Sequence, residues 1–336
     1  MRSVRPFGAL LALSLLAAPI ALAPLTQARA DDPPLSTRII NQLNAIFGRI
    51  PHTRANHAKG VVFEGTFTPA PGAADFSKAA FLTGAPTPIT VRFSNSGGLP
   101  EVPDTHPSTG GVRGIAVKFH LAGNGEADLV GINTNGFPVS NGDDFLAFLT
   151  AVGNTKPDSP HPSPVEQFLG AHPAAVTWIH MPKPMPVSYA TEAFFGVNAF
   201  KYTNAKGEVH YGRWHITPVD GAKFVTDEEA AKREPNALAD LTHDAVAKGP
   251  VSFKLSIQVA AEGDPTDDAT KVWPDSRPLV ELGTITLTKA DDTAAVQNKL
   301  LFLPTRVPDG IAISGDPLLN VRTAAYLVSF GRRQQP

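Results

Sequence analysis

Three residues near the carboxyl end, Arg322, Tyr326 and Arg333, have the types and spacing for redox chemistry. Placed on a helix at about 100° per residue, they fall within roughly 60° of one another. A phenol titrates near ~10 in water. Two guanidiniums beside it favour the phenolate by charge and by hydrogen bonding. A phenolate is a hard anionic ligand and suits ferric iron. A plainer reading stands beside this one. A tyrosine on a C-terminal amphipathic helix usually packs, and flanking arginines usually face water.

Other residues carry weaker signals. His57 lies where a helix hands over to a strand, and a lone histidine there usually serves the local backbone. Arg54 precedes it by three residues. Arg92 and Ser94 project together from one face of a strand whose other face is Ile89, Val91 and Phe93. An arginine in a strand is ordinarily a surface residue, and one facing a barrel interior needs an anion. Phe137 and Phe145 are apolar and would ordinarily be core. The chain has no cysteine. That excludes disulfides, thiolate nucleophiles, thiolate metal ligands and thioether attachment of a cofactor. A net charge of −2 gives no electrostatic case for nucleic acid or a membrane surface.

The elements that must position these residues follow from periodicity. Residues 1–30 read as a cleavable signal peptide, with Arg2 and Arg5, an apolar run over residues 7–22, and Ala28-Arg29-Ala30 as the cleavage site. Cleavage after Ala30 implies export to the periplasm and a single domain over residues 31–336. No later stretch reaches the ~18 apolar residues of a membrane span. Residues 34–50 predict a helix capped by Ser36 or Thr37. Alternation predicts strands at Val61–Phe67, at residues 89–94, 114–121 and 251–259, and around Ile285 and Leu287. Residues 192–203 and 208–217 flank a hairpin signal at residues 204–207. Helices are expected at residues 143–152, 291–300 and 236–248, the last with Gly249 as its C-cap. With 32 prolines and 28 glycines, many turns and irregular connections are expected. Gly97-Gly98 and Gly110-Gly111 lack the context of a phosphate loop. The fold class is α+β, an antiparallel sheet of about eight strands closed into a barrel, with surrounding helices.

Taken together, the motifs resemble the haem catalases, and more closely their short bacterial relatives, the catalase-related haem peroxidases. The segments that carry the resemblance appear in the family's order. They are Arg54-Ala-Asn-His57-Ala-Lys-Gly60, Val91-Arg-Phe-Ser94, Arg113-Gly-Ile-Ala-Val-Lys-Phe119, Asp128-Leu-Val-Gly131, residues 198–207, residues 304–311, Asp316-Pro-Leu-Leu319, and Arg322-x-x-x-Tyr326. The resemblance runs from about Asn41 to Arg333. It implies a b-type haem with Tyr326 as the proximal iron ligand and His57 as the distal acid–base. Ser94 would hydrogen-bond His57. Arg322 and Arg333 would hold the phenolate and, in part, the haem propionates. Arg54 and Arg92 would contact the propionates, and Phe137 and Phe145 would lie against the haem.

The departures shape the expected activity. The distal Asn of catalases aligns with Ile132, and Asn56 replaces the Val beside the distal His. The channel carboxylate aligns with Gly111, and a barrel-wall His aligns with Asn198. Without the distal amide a second peroxide is poorly oriented, and misplacement loses rate steeply. The expectation is a peroxidase that reduces hydrogen peroxide or an organic hydroperoxide with a small organic electron donor. Asn56 could partly replace the amide. A weak or true catalase, a hydroperoxide-rearranging enzyme and a secreted haem carrier are the alternatives. The match ends soon after the ligand helix, where catalases continue into wrapping segments, so a monomer or small homo-oligomer is expected.

Overall fold

The computed structural model describes residues 32–291 and 293–335. The expected signal peptide lies outside the described residues. The first helix, α1 (Leu35–Phe47), buries Ile39, Ile40 and Leu43 at helical spacing. Its start differs from the expectation. Pro34 is the N-cap and no side chain caps the helix; Ser36 and Thr37 lie inside its first turn. It stops at Phe47 because Gly48 adopts φ +84, a conformation that glycine takes at no steric cost.

The chain then runs through β1 (Gly60–Pro69), α2 (Ala73–Phe76), β2 (Thr87–Asn95), β3 (Arg113–Leu121) and β4 (Gly125–Ile132). Three helices come after them: α3 (Gly142–Asn154), α4 (Pro164–Ala171) and α5 (Pro173–Ile179). Next are β5 (Phe194–Phe195), β6 (Phe200–Thr203), β7 (Val209–Pro218), α6 (Asp227–Ala230), α7 (Ala237–Lys248), β8 (Val251–Val259) and β9 (Leu279–Ala290). The last elements are α8 (Ala294–Lys299), β10 (Ile311–Ile313) and α9 (Pro317–Arg333).

Eight strands close an antiparallel barrel in the order β1-β2-β3-β4-β5-β7-β8-β9, with β9 returning to β1. β6 follows β5 along the same edge of β7, and β10 adds to β6. The single strand expected over residues 192–203 is therefore two pieces. The break falls where the Trp214 indole presses on Gly196, which leaves 2.6 Å for a Cβ there. Gly249 ends α7 as expected, and Asn204–Gly207 turns between β6 and β7.

The barrel interior is filled. Phe93 of β2 meets Phe253 of β8 at 5.8 Å between ring centroids, although those strands are not neighbours. Phe63, Phe119, Trp214 and Leu287 join the same core. Burying each such side chain contributes about 1.5–3 kcal/mol. Strand alternation then sends Arg92 and Ser94 outward. Arg92 is nonetheless only 4% exposed. It does not face the barrel interior; it lies beneath the helical layer, where α1 packs on α3 and α9.

Candidate active site

A cavity lies between the outer face of β2–β4 and helices α1, α3 and α9. Register builds its floor. Gly60 faces Ser94, Ser94 faces Gly114, and Gly114 faces Ile132 across successive strands. Two residues along, Arg92, Ala116 and Val130 form the next rung of the same face. Small side chains there leave room above the sheet. Ile39, Ile40 and Leu43 of α1, Phe145 of α3, and Leu318, Val321, Ala325 and Tyr326 of α9 form the walls.

His57 enters from the loop before β1 with φ +54, a left-handed state uncommon outside glycine. Its N–H donates to Asn56 Oδ1 at 2.9 Å, and its carbonyl accepts from Arg92 Nη2 at 3.0 Å. Its Nδ1 lies 3.0 Å from Ser94 Oγ, as the resemblance implied. Gly114 faces the ring: a Cβ there would stand 3.0 Å from His57 Cε1 and 3.1 Å from Ser94 Oγ. Burial, then Arg92, Arg322 and Arg54, pull the imidazole pKa down to about 3. At neutral pH the ring is a neutral base.

Asn56 also lines the cavity, but its Oδ1 is taken up locally. It accepts from His57 N, from Gly97 N at 2.6 Å and from Ser96 Oγ at 3.3 Å. Asn56 thus staples the distal loop. Ile132 occupies the end of β4, and the neighbouring Asn133 is directed elsewhere, to Arg113, Gly111 and Glu192.

Three guanidiniums converge on one side. Arg54 donates to Gln297 O at 3.0 Å and Leu300 O at 3.1 Å. Arg92 donates through Nε to Gln297 Oε1 at 3.0 Å. Arg333 donates to Asn298 O at 3.3 Å and to Leu300 O. Among the described residues, none of the three has a carboxylate partner. Burial and then mutual repulsion push the Arg54 pKa well down, and Arg92 and Arg333 fall to about 10, chiefly by burial. A guanidinium keeps its proton in proteins, so all three are cations. Buried like charges this close are costly without an anion. A haem, with two carboxylates on one edge, fits this set.

Tyr326 behaves partly as the spacing predicts. Arg322 Nη2 donates to its hydroxyl at 3.3 Å. Arg322 also donates to Asn198 Oδ1, and Asn198 Nδ2 donates to Asp316 Oδ2 at 2.7 Å. Asp316 in turn caps α9 by accepting from Leu318 N at 2.9 Å. Burial raises the Asp316 pKa. Arg333, the second guanidinium expected beside the phenol, lies in phase with Tyr326 and donates to the carbonyls of residues 298 and 300, next to Arg54, which donates to those of residues 297 and 300. Phe137 and Phe145 line the cavity together, with ring centroids 5.5 Å apart.

Two site roles escaped sequence reasoning. Gln297 clasps Arg92 and donates to Gly60 O at 2.7 Å; nothing in its sequence context marks it. Asp316-Pro317 did carry a signal, an N-cap followed by proline at the first helical position. Among the described residues, no group of three or more His, Asp or Glu could hold a bare metal ion. None of their helices is long and apolar enough to cross a membrane.

Known proteins resemble this chain in sequence and fold. The family model described as Catalase matches residues 38–333. A protein named Catalase-related peroxidase from Synechococcus elongatus is 30% identical, over 96% of this chain and 95% of its own length. Another of that name from Mycolicibacterium paratuberculosis is 33% identical, over 86% and 92%. A Helicobacter pylori protein named Catalase is 32% identical, but the match spans only 58% of it. Among solved structures, catalase A from Saccharomyces cerevisiae superposes with a TM-score of 0.74 at 26% identity, over 85% of this chain and 62% of that one. With the matched segment reaching from α1 to Arg333 and taking in His57, Tyr326 and all four arginines, the chain belongs to the catalase family.

Proposed function

We propose that this chain is a haem-dependent peroxidase that reduces hydrogen peroxide or an organic hydroperoxide with electrons from an organic donor. The observation that carries the reading is a single cavity. It is shared by a neutral buried imidazole, a phenol beside a guanidinium, and three cations that lack a carboxylate. Tyr326 would ligate the iron of a b-type haem, and Arg54, Arg92 and Arg333 would hold its propionates. The absence of cysteine leaves no thioether attachment. When bound, the haem supplies the metal that takes up peroxide and stores its two oxidising equivalents.

The chain's own residues then do the proton work. Ser94 Oγ and the clasped backbone fix the His57 ring. With Nδ1 so engaged, Nε2 is left to accept a proton from the inner peroxide oxygen and to return it to the outer one. Arg322 Nη2 donates to the Tyr326 hydroxyl oxygen and orients it. The net change at the peroxide is two electrons and two protons taken up, giving an alcohol or water plus water. Ile132 offers a second peroxide no hydrogen bond, and Asn56 is tied through its Oδ1 to the distal loop; on this reading the electrons come from a donor. The two near-full-length relatives named Catalase-related peroxidase support this reading over catalase. We further propose export to the periplasm with cleavage after Ala30, and a monomer or small homo-oligomer.

The test compares oxygen release with donor oxidation by the hemin-loaded protein. Oxidation of a chromogenic donor should dominate; brisk oxygen evolution without a donor would refute the assignment. Tyr326→Phe should shift the visible spectrum of the ferric protein and weaken hemin binding. An identical spectrum would sink the phenolate ligand.

A further inference from the structure

If the chain is a peroxidase, a donor too bulky for the cavity must give up its electrons at a second site. We propose, resting on that reading, that Trp178 is this site: an electron-rich aromatic donor such as a phenol is oxidised at its indole, and the electron passes inward through the turn at Thr134–Phe137.

Few side chains are both oxidisable and reachable. Trp214 and Trp273 are each 1% exposed, whereas Trp178, at the end of α5, is half-buried and meets solvent. Tyr189 and Tyr202 are buried, at 1% and 2% exposure. Tyr211 is exposed but lies on β7, none of whose residues lines the cavity. Tyr326 lines the cavity itself. Trp178 is thus the oxidisable ring that meets solvent and connects to the cavity wall.

The connection is short and bonded. Trp178 Nε1 donates to Thr134 Oγ1 at 3.1 Å. Thr134 Oγ1 donates to Gly136 O at 3.1 Å. The Gly136 carbonyl carbon is bonded to the nitrogen of Phe137, whose side chain lines the cavity. Two hydrogen bonds and one peptide unit therefore join the indole to the wall. A second contact runs through rings. Phe148 meets Trp178 edge-on at 6.5 Å and lies one helical turn from Phe145, which also lines the cavity.

Lys183 completes the site. Its ammonium sits 4.7 Å from the indole centroid, pinned by the carbonyls of Trp178, Ile179 and Met181 at 3.0, 3.3 and 3.2 Å. A fixed cation over the ring stabilises the neutral indole. It therefore makes the oxidised indole a stronger oxidant that is quickly reduced again.

The electrons balance. A hydroperoxide, reduced at the haem, is the oxidant. Each cycle of Trp178 sends one electron inward and takes one from a phenol, which releases its proton to solvent and becomes a phenoxyl radical. The indole keeps its N–H on Thr134. Two such cycles per hydroperoxide convert ROOH and two ArOH to ROH, water and two ArO radicals.

The experiment treats the hemin-loaded full chain with one equivalent of peroxide, without donor, and reads it by electron paramagnetic resonance on frozen samples and by peptide mass spectrometry. A tryptophanyl radical and an added oxygen at Trp178 are expected, both lost in Trp178→Phe. Turnover of a bulky phenol, relative to the rate of the peroxide step, should fall about tenfold or more in Trp178→Phe. Trp178→Tyr, which keeps an oxidisable ring, should restore much of it. Lys183→Met should lengthen the radical's life. A holoenzyme inert to peroxide overturns both the peroxidase reading and this one. A reactive holoenzyme whose radical and oxygen lie elsewhere, or whose phenol turnover survives Trp178→Phe, overturns this one alone.

Discussion

His57 is held in a left-handed backbone state uncommon outside glycine, at a cost on the order of 1–3 kcal/mol. Three contacts offset it: the N–H on Asn56, the carbonyl under Arg92 and the ring on Ser94. Removing the last, by Ser94→Ala, should slow the reaction with peroxide several-fold, in line with about 1 kcal/mol for one neutral hydrogen bond. Stopped-flow mixing reads this directly, and an unaltered rate would deny Ser94 its role. The same burial links His57 to acid stability. Unfolded, the imidazole binds a proton below about pH 6.5; folded, it stays neutral down to about 3. Between those values the unfolded chain holds more protons, so stability drops as pH drops. This group contributes at most about 1.4 kcal/mol per pH unit. His57→Gln apoprotein should therefore lose less stability than wild type on acidification through that window, as urea titrations would measure. His215, lowered to about 4 mainly by burial, keeps part of the slope in both proteins.

Helix α9 was legible in part. Arg322 and Tyr326 meet because four residues make about one turn, and the residue types named the chemistry. Arg333 has the same phase but different partners, the carbonyls of Asn298 and Leu300. No periodicity shows that the chain returns there. Gln297 on α8 is the clearest case: a lone glutamine in the sequence, yet in the fold it fixes Arg92, and Arg92 fixes the carbonyl of His57. Gln297→Ala should speed hemin loss and slow the peroxide step together, by about tenfold each, since hydrogen bonds to a charged group contribute about 1.5–3 kcal/mol. Gln297→Glu, which keeps an acceptor for Arg92, should recover most of the peroxide rate. Equal defects in both variants would mean that α8 merely packs.

At the scale of the molecule, closure into a barrel of about eight strands could be read because alternation marks most of them, though not β4 or β10, and the inside of the barrel could not. Both faces of β2 are buried, with Phe93 at 0% and Arg92 at 4% exposure, and only topology tells which one the helices cover. The three unneutralised guanidiniums make the folded state depend on what binds them. Hemin at about 1,000 times its dissociation constant should stabilise the fold by about 4 kcal/mol, visible as a higher melting temperature in calorimetry. Hemin dimethyl ester, which has the same ring but no free carboxylates, should give a much smaller rise. Equal shifts would show that the arginines do not recognise the carboxylates.

The filled barrel has one more consequence. Its aromatic interior and its chemical cavity share strands but not faces. Ala116, Val130 and Ile132 can therefore change size without disturbing Phe93, Val117 or Phe253. Lineages or laboratory libraries that vary the outward rungs should explore new hydroperoxides at little cost to folding, with selection acting on chemistry and architecture almost separately.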